Sequence, residues 1–269
     1  MKRYSRGEAI HPDCGSMENS HHVIEIVTIL VFAALQSVFG IGILFFGTPT
    51  LILLGYPFVE ALAVVLPASI AVSCLQVVRG TLPQPAWRRD FAVWCLVPLT
   101  AVLGASLLWQ WQLELEFVIA CTLLLYVIIR VSPRLHGALR NGVRSHKSLW
   151  LAIIGSIHGL SNLGGGLLAI FAANSFDDKV AIRSHIAFCY LCFAGIQLSI
   201  LAIMTPYVMN WTQLVYAAIG GAVFVACERR IFQLISLPAF DRAFTIVIGS
   251  YSILVFLKLA GVFGTSSAT

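Results

Sequence analysis

Residues 23–54 read VIEIVTILVFAALQSVFGIGILFFGTPTLILL. As one helix this run would be about 48 Å long, at about 1.5 Å per residue. The hydrocarbon core of a bilayer is only about 30 Å thick. Gly40, Gly42, Gly47 and Pro49 interrupt the run near its middle. Consecutive breakers of this kind weaken a helix and permit open backbone. The run therefore divides into two half-helices, as a re-entrant hairpin or as a broken span.

The rest of the chain has the composition that such a reading requires. Of 269 residues, 59% are hydrophobic and 11% charged, with a mean hydropathy of +0.90. A soluble domain carries roughly a quarter of its residues as charges. This chain cannot clothe a soluble surface, so lipid must solvate much of it. Its length holds roughly eight or nine spans of about 20 residues with short loops. The formal charge is +5. The basic residues sit in short loops between apolar runs, which points to membrane orientation rather than to nucleic acid. Most of the seven cysteines lie in apolar runs, where cysteine acts as a small hydrophobe. Cys189-Tyr-Leu-Cys192 matches a C-x-x-C spacing but sits in a hydrophobic helix without a redox context, so no metal site or disulfide framework is read from it. The run from Val23 is too long for the core of a signal peptide and lacks a small-residue cleavage site. Met17 is as good a start for this membrane protein as Met1.

Apolar runs predict helices at 23–39, 41–55, 58–78, 91–109, 115–131, 149–160, 164–175, 180–204, 211–227 and 241–262. The stretch 149–175 repeats the opening arrangement, broken by Ser161-Asn162-Leu163-Gly164-Gly165-Gly166. In each half the broken segment precedes three more hydrophobic spans. Gly40 and Gly42 correspond to Gly164 and Gly166, and Gln76 to Gln197. The expected organisation is a polar, disordered stretch 1–22, a first membrane repeat 23–131, a basic linker 132–147, a second repeat 148–262 and a tail 263–269. Pro67, Pro98 and Pro206 mark kinks or helix ends, and the six tryptophans lie near helix ends as an interfacial belt.

Basic residues decide between the two topologies. If both broken segments are re-entrant, the loops 79–90, 130–147, 176–183 and 228–242 share one side. They hold Arg79, Arg88, Arg89, Arg130, Arg134, Arg140, Arg144, Lys147, Lys179, Arg183, Arg229, Arg230 and Arg242, most of the 17 basic residues. The loops at 110–116 and 205–210 hold none. Eight plain crossings would instead put Arg229, Arg230 and Arg242 on the outer side. The pattern favours two re-entrant elements, with basic loops in the cytoplasm. Each half then crosses three times, so the second is inverted relative to the first. The fold class is an all-α polytopic membrane protein of two inverted repeats, each of about four hydrophobic segments with a broken or re-entrant first segment.

At each re-entrant tip the second half-helix presents its N-terminus inside the membrane. Its first N–H groups have no intrahelical partner, and the macrodipole adds about half a positive charge. Two such tips entering from opposite faces make a dehydrated anion site without a basic side chain in lipid. The candidate binding residues are Gly40, Gly42, Thr48, Ser161, Asn162, Gly164, Gly165 and Gly166. Close helix packing through small residues is the plainer reading of any single glycine. Gln36, Gln76 and Gln197 lie in otherwise apolar helices and should face protein or water, so they join the candidates. His158, one turn before the second break, and His185 are candidate proton carriers. Glu25 and Glu60 lie near helix starts, where a negative charge suits the dipole.

The two glycine-containing segments and the helices after them resemble the TauE/SafE family of membrane permeases. The matching pieces are Phe39-Gly-Ile-Gly42, then Thr48-Pro49-Thr-Leu-Ile and Glu60-Ala61; in the second half they are Leu160-Ser-Asn-Leu-Gly-Gly-Gly166 and Lys179-Val-Ala181. The resemblance covers about residues 23–262. The first-half segment carries fewer glycines than the family's cluster. The resemblance implies two four-helix repeats and export or uptake of small, often sulfur-containing anions such as sulfite or sulfonates. The combined expectation is a permease of the inner membrane working by alternating access. It needs no cofactor or metal, and its partners are a small anion, the lipid bilayer and a possible second copy of itself. Two rivals are a membrane scaffold and, through His158 and Ser161, an intramembrane hydrolase; no third, orienting carboxylate is evident for the latter.

Overall fold

The computed structural model of the chain describes residues 14–109, 115–132, 142, 145–176, 178–228, 230, 237–259 and 261. Residues 1–13, the tail 263–269, most of the linker and the basic residues Arg134, Arg140, Arg144 and Arg229 lie outside the described residues. Every described element is helical. In chain order these are α1 (Cys14–Phe39), a π-helical turn Ile43–Gly47, α2 (Thr48–Leu53), α3 (Phe58–Arg79), α4 (Pro85–Phe91), a second π turn Ala92–Leu96, and α5 (Val97–Leu108). There follow α6 (Leu115–Val131), α7 (Lys147–Ser161), α8 (Gly164–Ser175), α9 (Lys179–Met204), a 3-10 turn Pro206–Val208, α10 (Thr212–Cys227) and α11 (Leu237–Leu259).

Among the described residues, four stretches are long and apolar enough to cross a membrane: His21–Phe39, Phe58–Arg79, Pro85–Leu108 and Lys179–Met204. Shorter apolar helices include Ile43–Leu53 and Gly164–Ser175, the second arms of the two broken segments. Many large apolar side chains point outward, among them Val97, Leu108, Phe117, Ile203 and Ile246. A soluble protein could not solvate that surface, whereas lipid does. α1 extends in the N-terminal direction to Cys14, beyond the apolar run. Pro67 is accommodated inside α3, Pro98 opens α5 directly after a π turn, and Pro206 starts the 3-10 turn.

α3 is the central element, packed against α9 and α10; α1 packs on α10, α5 on α7, and α6 on α11. The α5–α7 contact is made by small residues. A Cβ on Gly155 would lie 2.0 Å from the Cys95 carbonyl oxygen, and one on Gly159 would lie 2.6 Å from that of Leu99. Glycines one turn apart let the backbones meet, which is how helices associate where lipid gives no hydrophobic drive.

Both breaks are hairpins. Gly40 has φ +80°, and Asn162 has φ +63°. That left-handed conformation is open to glycine and to asparagine, whose short side chain can bond locally. Each residue's amide still bonds the carbonyl four residues back, Gln36 at 2.8 Å and His158 at 2.9 Å. Two residues after each turn the chain meets its own first arm. A Cβ on Gly42 would be 2.3 Å from the Phe32 carbonyl oxygen and 2.5 Å from the Gln36 amide; one on Gly164 would be 2.4 Å from the Ile154 carbonyl oxygen and 3.0 Å from the His158 amide. Only glycine fits at either place. Farther along, Phe46 stacks on Phe32 with ring centroids 5.8 Å apart, so the second arm returns beside α1.

The contacts of the two hairpins match position for position. Gly40 therefore pairs with Asn162, Gly42 with Gly164, and Gln36 with His158. The alignment by glycine identity, Gly40 with Gly164, is shifted by one pair of residues. A left-handed turn does not demand the same residue in both halves.

Candidate anion site between the two breaks

Gln36 sits one turn before the first break and is wholly buried. Its carboxamide oxygen accepts from the Ile43 amide at 3.1 Å, at the start of the returning arm. Its nitrogen donates to Ser73 Oγ at 3.0 Å and lies 3.3 Å from Ser69 Oγ. Gln76 Nε2 donates to the Gln36 carbonyl oxygen at 2.8 Å. Ser69, Ser73 and Gln76 follow one face of α3. The first tip is thus capped from within: the amide expected to meet a ligand is held by Gln36. Of this group only Gln76 Oε1 lacks a protein partner.

The second break is different. His158, at the place of Gln36, is wholly buried, and neither ring nitrogen makes a well-formed hydrogen bond, although the Gln197 carboxamide lies close enough to interact with the ring. Its ring lies 4.2 Å from that of Phe193 and 6.0 Å from that of Tyr190, both on α9, and Gln197 lies beside it. Tyr190 OH, both amide atoms of Gln197 and Asn162 Oδ1 are likewise buried without a partner. Tyr190 OH rests on the backbone of Gly165, in the first turn of α8: a Cβ there would be 1.6 Å from it. A buried polar atom left unpaired costs about 1–3 kcal/mol. Several of them gather around one helix N-terminus as a closely packed polar cluster, and buried polar groups left without partners call for an explanation.

A side-chain hydrogen bond joins the two breaks directly. Asn162 Nδ2 donates to Thr48 Oγ1 at 2.7 Å, and both residues are fully buried. Beside it Phe45 packs on Tyr126, with centroids 5.5 Å apart, and both rings touch Gly166. Tyr126 OH donates to the Leu163 carbonyl oxygen at 2.5 Å, which fixes the second turn.

Of the sequence candidates, Gln36, Thr48, His158, Asn162, Gly164, Gly165, Gly166 and Gln197 come together around the breaks, with Gln76 one step away. Gly40 and Gly42 shape the first turn. Ser161 donates its hydroxyl back to the Ile157 carbonyl oxygen at 3.0 Å, within its own helix. His185 stands apart at the start of α9, its ring 3.8 Å from that of Phe176 and 5.3 Å from that of Trp87. Sequence reasoning missed Tyr126, Tyr190, Ser69 and Ser73. The signal for part of this was present: Ser69, Ser73 and Gln76 on α3, and Tyr190 and Gln197 on α9, recur at helical spacing.

The chain matches a family model described as sulfite exporter TauE/SafE over residues 26–256. It belongs to the TauE/SafE sulfite exporter family. The match takes in both broken segments and all four long apolar stretches, so the TauE/SafE chain is a multi-pass protein of a membrane transporter family. No curated protein and no solved structure was matched.

At one end of this TauE/SafE bundle a cavity of about 260 Å³ is lined by His22, Glu25, Tyr56, Glu60, Tyr207 and Tyr216, among others. Glu25 accepts from His22 at 3.0 Å and from Tyr216. Tyr56 lies in the loop before α3. Burial, helped by the charges of Glu25 and Glu60, pushes its phenol up to about 12, so it stays a donor at neutral pH. Among the described residues no group of three or more His, Cys, Asp or Glu is placed to hold a metal ion.

Proposed function

We propose that this chain is a permease for a small oxyanion or organosulfur anion, such as sulfite or a sulfonate, working by alternating access in the cytoplasmic membrane. The observation that carries this reading is the Asn162–Thr48 bond between the two breaks, set beside unpartnered polar atoms of His158, Asn162, Tyr190 and Gln197. An oxyanion takes hydrogen bonds from a hydroxyl, a carboxamide and the α8 amides. Family membership supplies the substrate class.

In this reading the second break binds and the first, capped by Gln36, moves. The halves are inverted repeats, and an anion that replaces the Asn162–Thr48 bond loosens the contact between them. The loops rich in arginine face the cytoplasm and draw anions to that end, while Glu25 and Glu60 at the other mouth oppose their return. That asymmetry favours export. One negative charge moving outward across 100 mV yields about 2.3 kcal/mol, enough to drive export without a coupled ion.

The test is flux of labelled sulfite, sulfate and methanesulfonate in proteoliposomes, with and without a pH gradient. Saturable flux of at least one supports the reading, and flux of none refutes it. Reporter fusions after Arg230 and at the C-terminus should read cytoplasm and outside, respectively; the reverse would restore eight plain crossings.

A further inference from the structure

α3 carries Ser69, Ser73, Gln76 and Arg79 on one helical face, from the first break to its C-terminal end. The first three are buried, and all three engage Gln36. Arg79 then pairs with Glu228, at the end of α10. The other oxygen of the same carboxylate accepts from Arg183 Nη2 at 3.0 Å. Arg183 is 5% exposed and Glu228 7%. Arg183 Nη1 also donates to the Ser37 carbonyl oxygen at 3.3 Å, in the last turn of α1. Its Cγ is 3.3 Å from where a Cβ on Gly40 would lie.

Arg183 falls by position among the loop charges, yet it is packed over the first break. Among the described residues, the two guanidiniums share the one Glu228 carboxylate. Burying charge away from water is costly, and in membrane proteins such residues mark pathways. The cluster also clasps α1, α3, α9 and α10 at the arginine-rich end, opposite the cavity lined by Glu25 and Glu60.

We propose that Arg183 and Arg79 form a second anion site at this end, and that Glu228 is a tethered plug in it. This inference rests on the permease reading. A substrate oxyanion takes the place of the Glu228 carboxylate on the two guanidiniums. That exchange frees α10 and opens a route along Gln76, Ser73 and Ser69 to the breaks. No bond to substrate forms; only ion pairs and hydrogen bonds are traded.

The test uses the purified full-length protein and sulfate as probe. In Glu228→Gln, millimolar sulfate should raise the thermal midpoint saturably and by several degrees more than in the wild type. Chloride should do less, and Glu228→Gln/Arg183→Gln should lose the response. A Glu228→Gln response equal to the wild type's, or one kept in the double variant, overturns the proposal. If Glu228→Gln does not fold, Arg79→Gln leaves one guanidinium on one carboxylate. In oriented proteoliposomes its KM for sulfite should rise about tenfold at the arginine-rich face and stay unchanged at the other; an unchanged KM at both faces overturns the proposal. Wild-type flux without these effects refutes the plug alone. Sulfate rescue of Glu228→Gln without flux of any oxyanion in the wild type would leave the anion site standing and refute the permease reading.

Discussion

Asn162 donates through its side-chain nitrogen to the hydroxyl of Thr48 at 2.7 Å, which ties the turn of the second broken helix to the returning arm of the first. Tyr126 adds a second polar contact at the same place, donating to the Leu163 carbonyl oxygen. Asn162 does two jobs, because its backbone holds the left-handed turn, with φ +63°.

Those jobs separate by substitution. Asn162→Gly keeps the turn and deletes the carboxamide; it should cost about 1 kcal/mol for the lost bond to Thr48. Asn162→Ala adds about 1–2 kcal/mol of left-handed strain. Thermal unfolding should rank wild type above Asn162→Gly above Asn162→Ala, while flux falls at least tenfold in both variants.

The two glutamines should respond in opposite ways. Gln36 caps Ile43 and binds Ser73. Gln36→Leu strands these buried groups and should destabilise by about 1–3 kcal/mol. Gln197 makes no such bonds. Gln197→Leu should leave the unfolding midpoint unchanged or raised, because an unpaired buried amide is removed, yet it should lower flux. Unfolding and flux measured side by side check both.

Gly165 has no room for a methyl group under Tyr190. Gly165→Ala should destabilise by about 1–3 kcal/mol through overpacking. Adding Tyr190→Phe should recover part of that loss in thermal unfolding without recovering flux, since the hydroxyl belongs to the unpartnered polar cluster.

The two histidines offer a pH contrast. His158 lies in the buried polar cluster beside Tyr190 and Gln197, whereas His185 lies among Phe176 and Trp87. If flux responds to a pH gradient, His158→Gln should abolish that response and His185→Gln should retain it. Flux measured with and without the gradient decides this.

Much of this arrangement was legible in the residues, for physical reasons. A 23–54 run too long for a bilayer had to break, and Gly40, Gly42 and the Asn162–Gly166 segment marked where. Glutamines in apolar helices announced buried bonding, and Gln36, Gln76 and Gln197 all lie at or beside the breaks. Matching the two breaks by glycine identity conceals that Asn162 plays the part of Gly40 in the left-handed turn. Tyr126 gave no sign, since an aromatic ring is ordinary in an apolar helix, and Tyr190 only the faint one of its helical spacing from Gln197. Thr48 and Asn162 meet across 114 positions of chain, and no local pattern encodes such a meeting. Arg183 sits so near the start of α9 that its charge suggested a loop, and only the packing of α1 and α10 around it shows burial.

The most direct measurement is a crystal structure of the protein soaked in selenate, whose selenium scatters anomalously. An anomalous peak whose oxygens lie about 3 Å from Asn162, Tyr190 and the first amides of α8 is the predicted result. A selenate-bound crystal with peaks only at the arginine-rich loops, and the Asn162–Thr48 contact intact and dry, would contradict it.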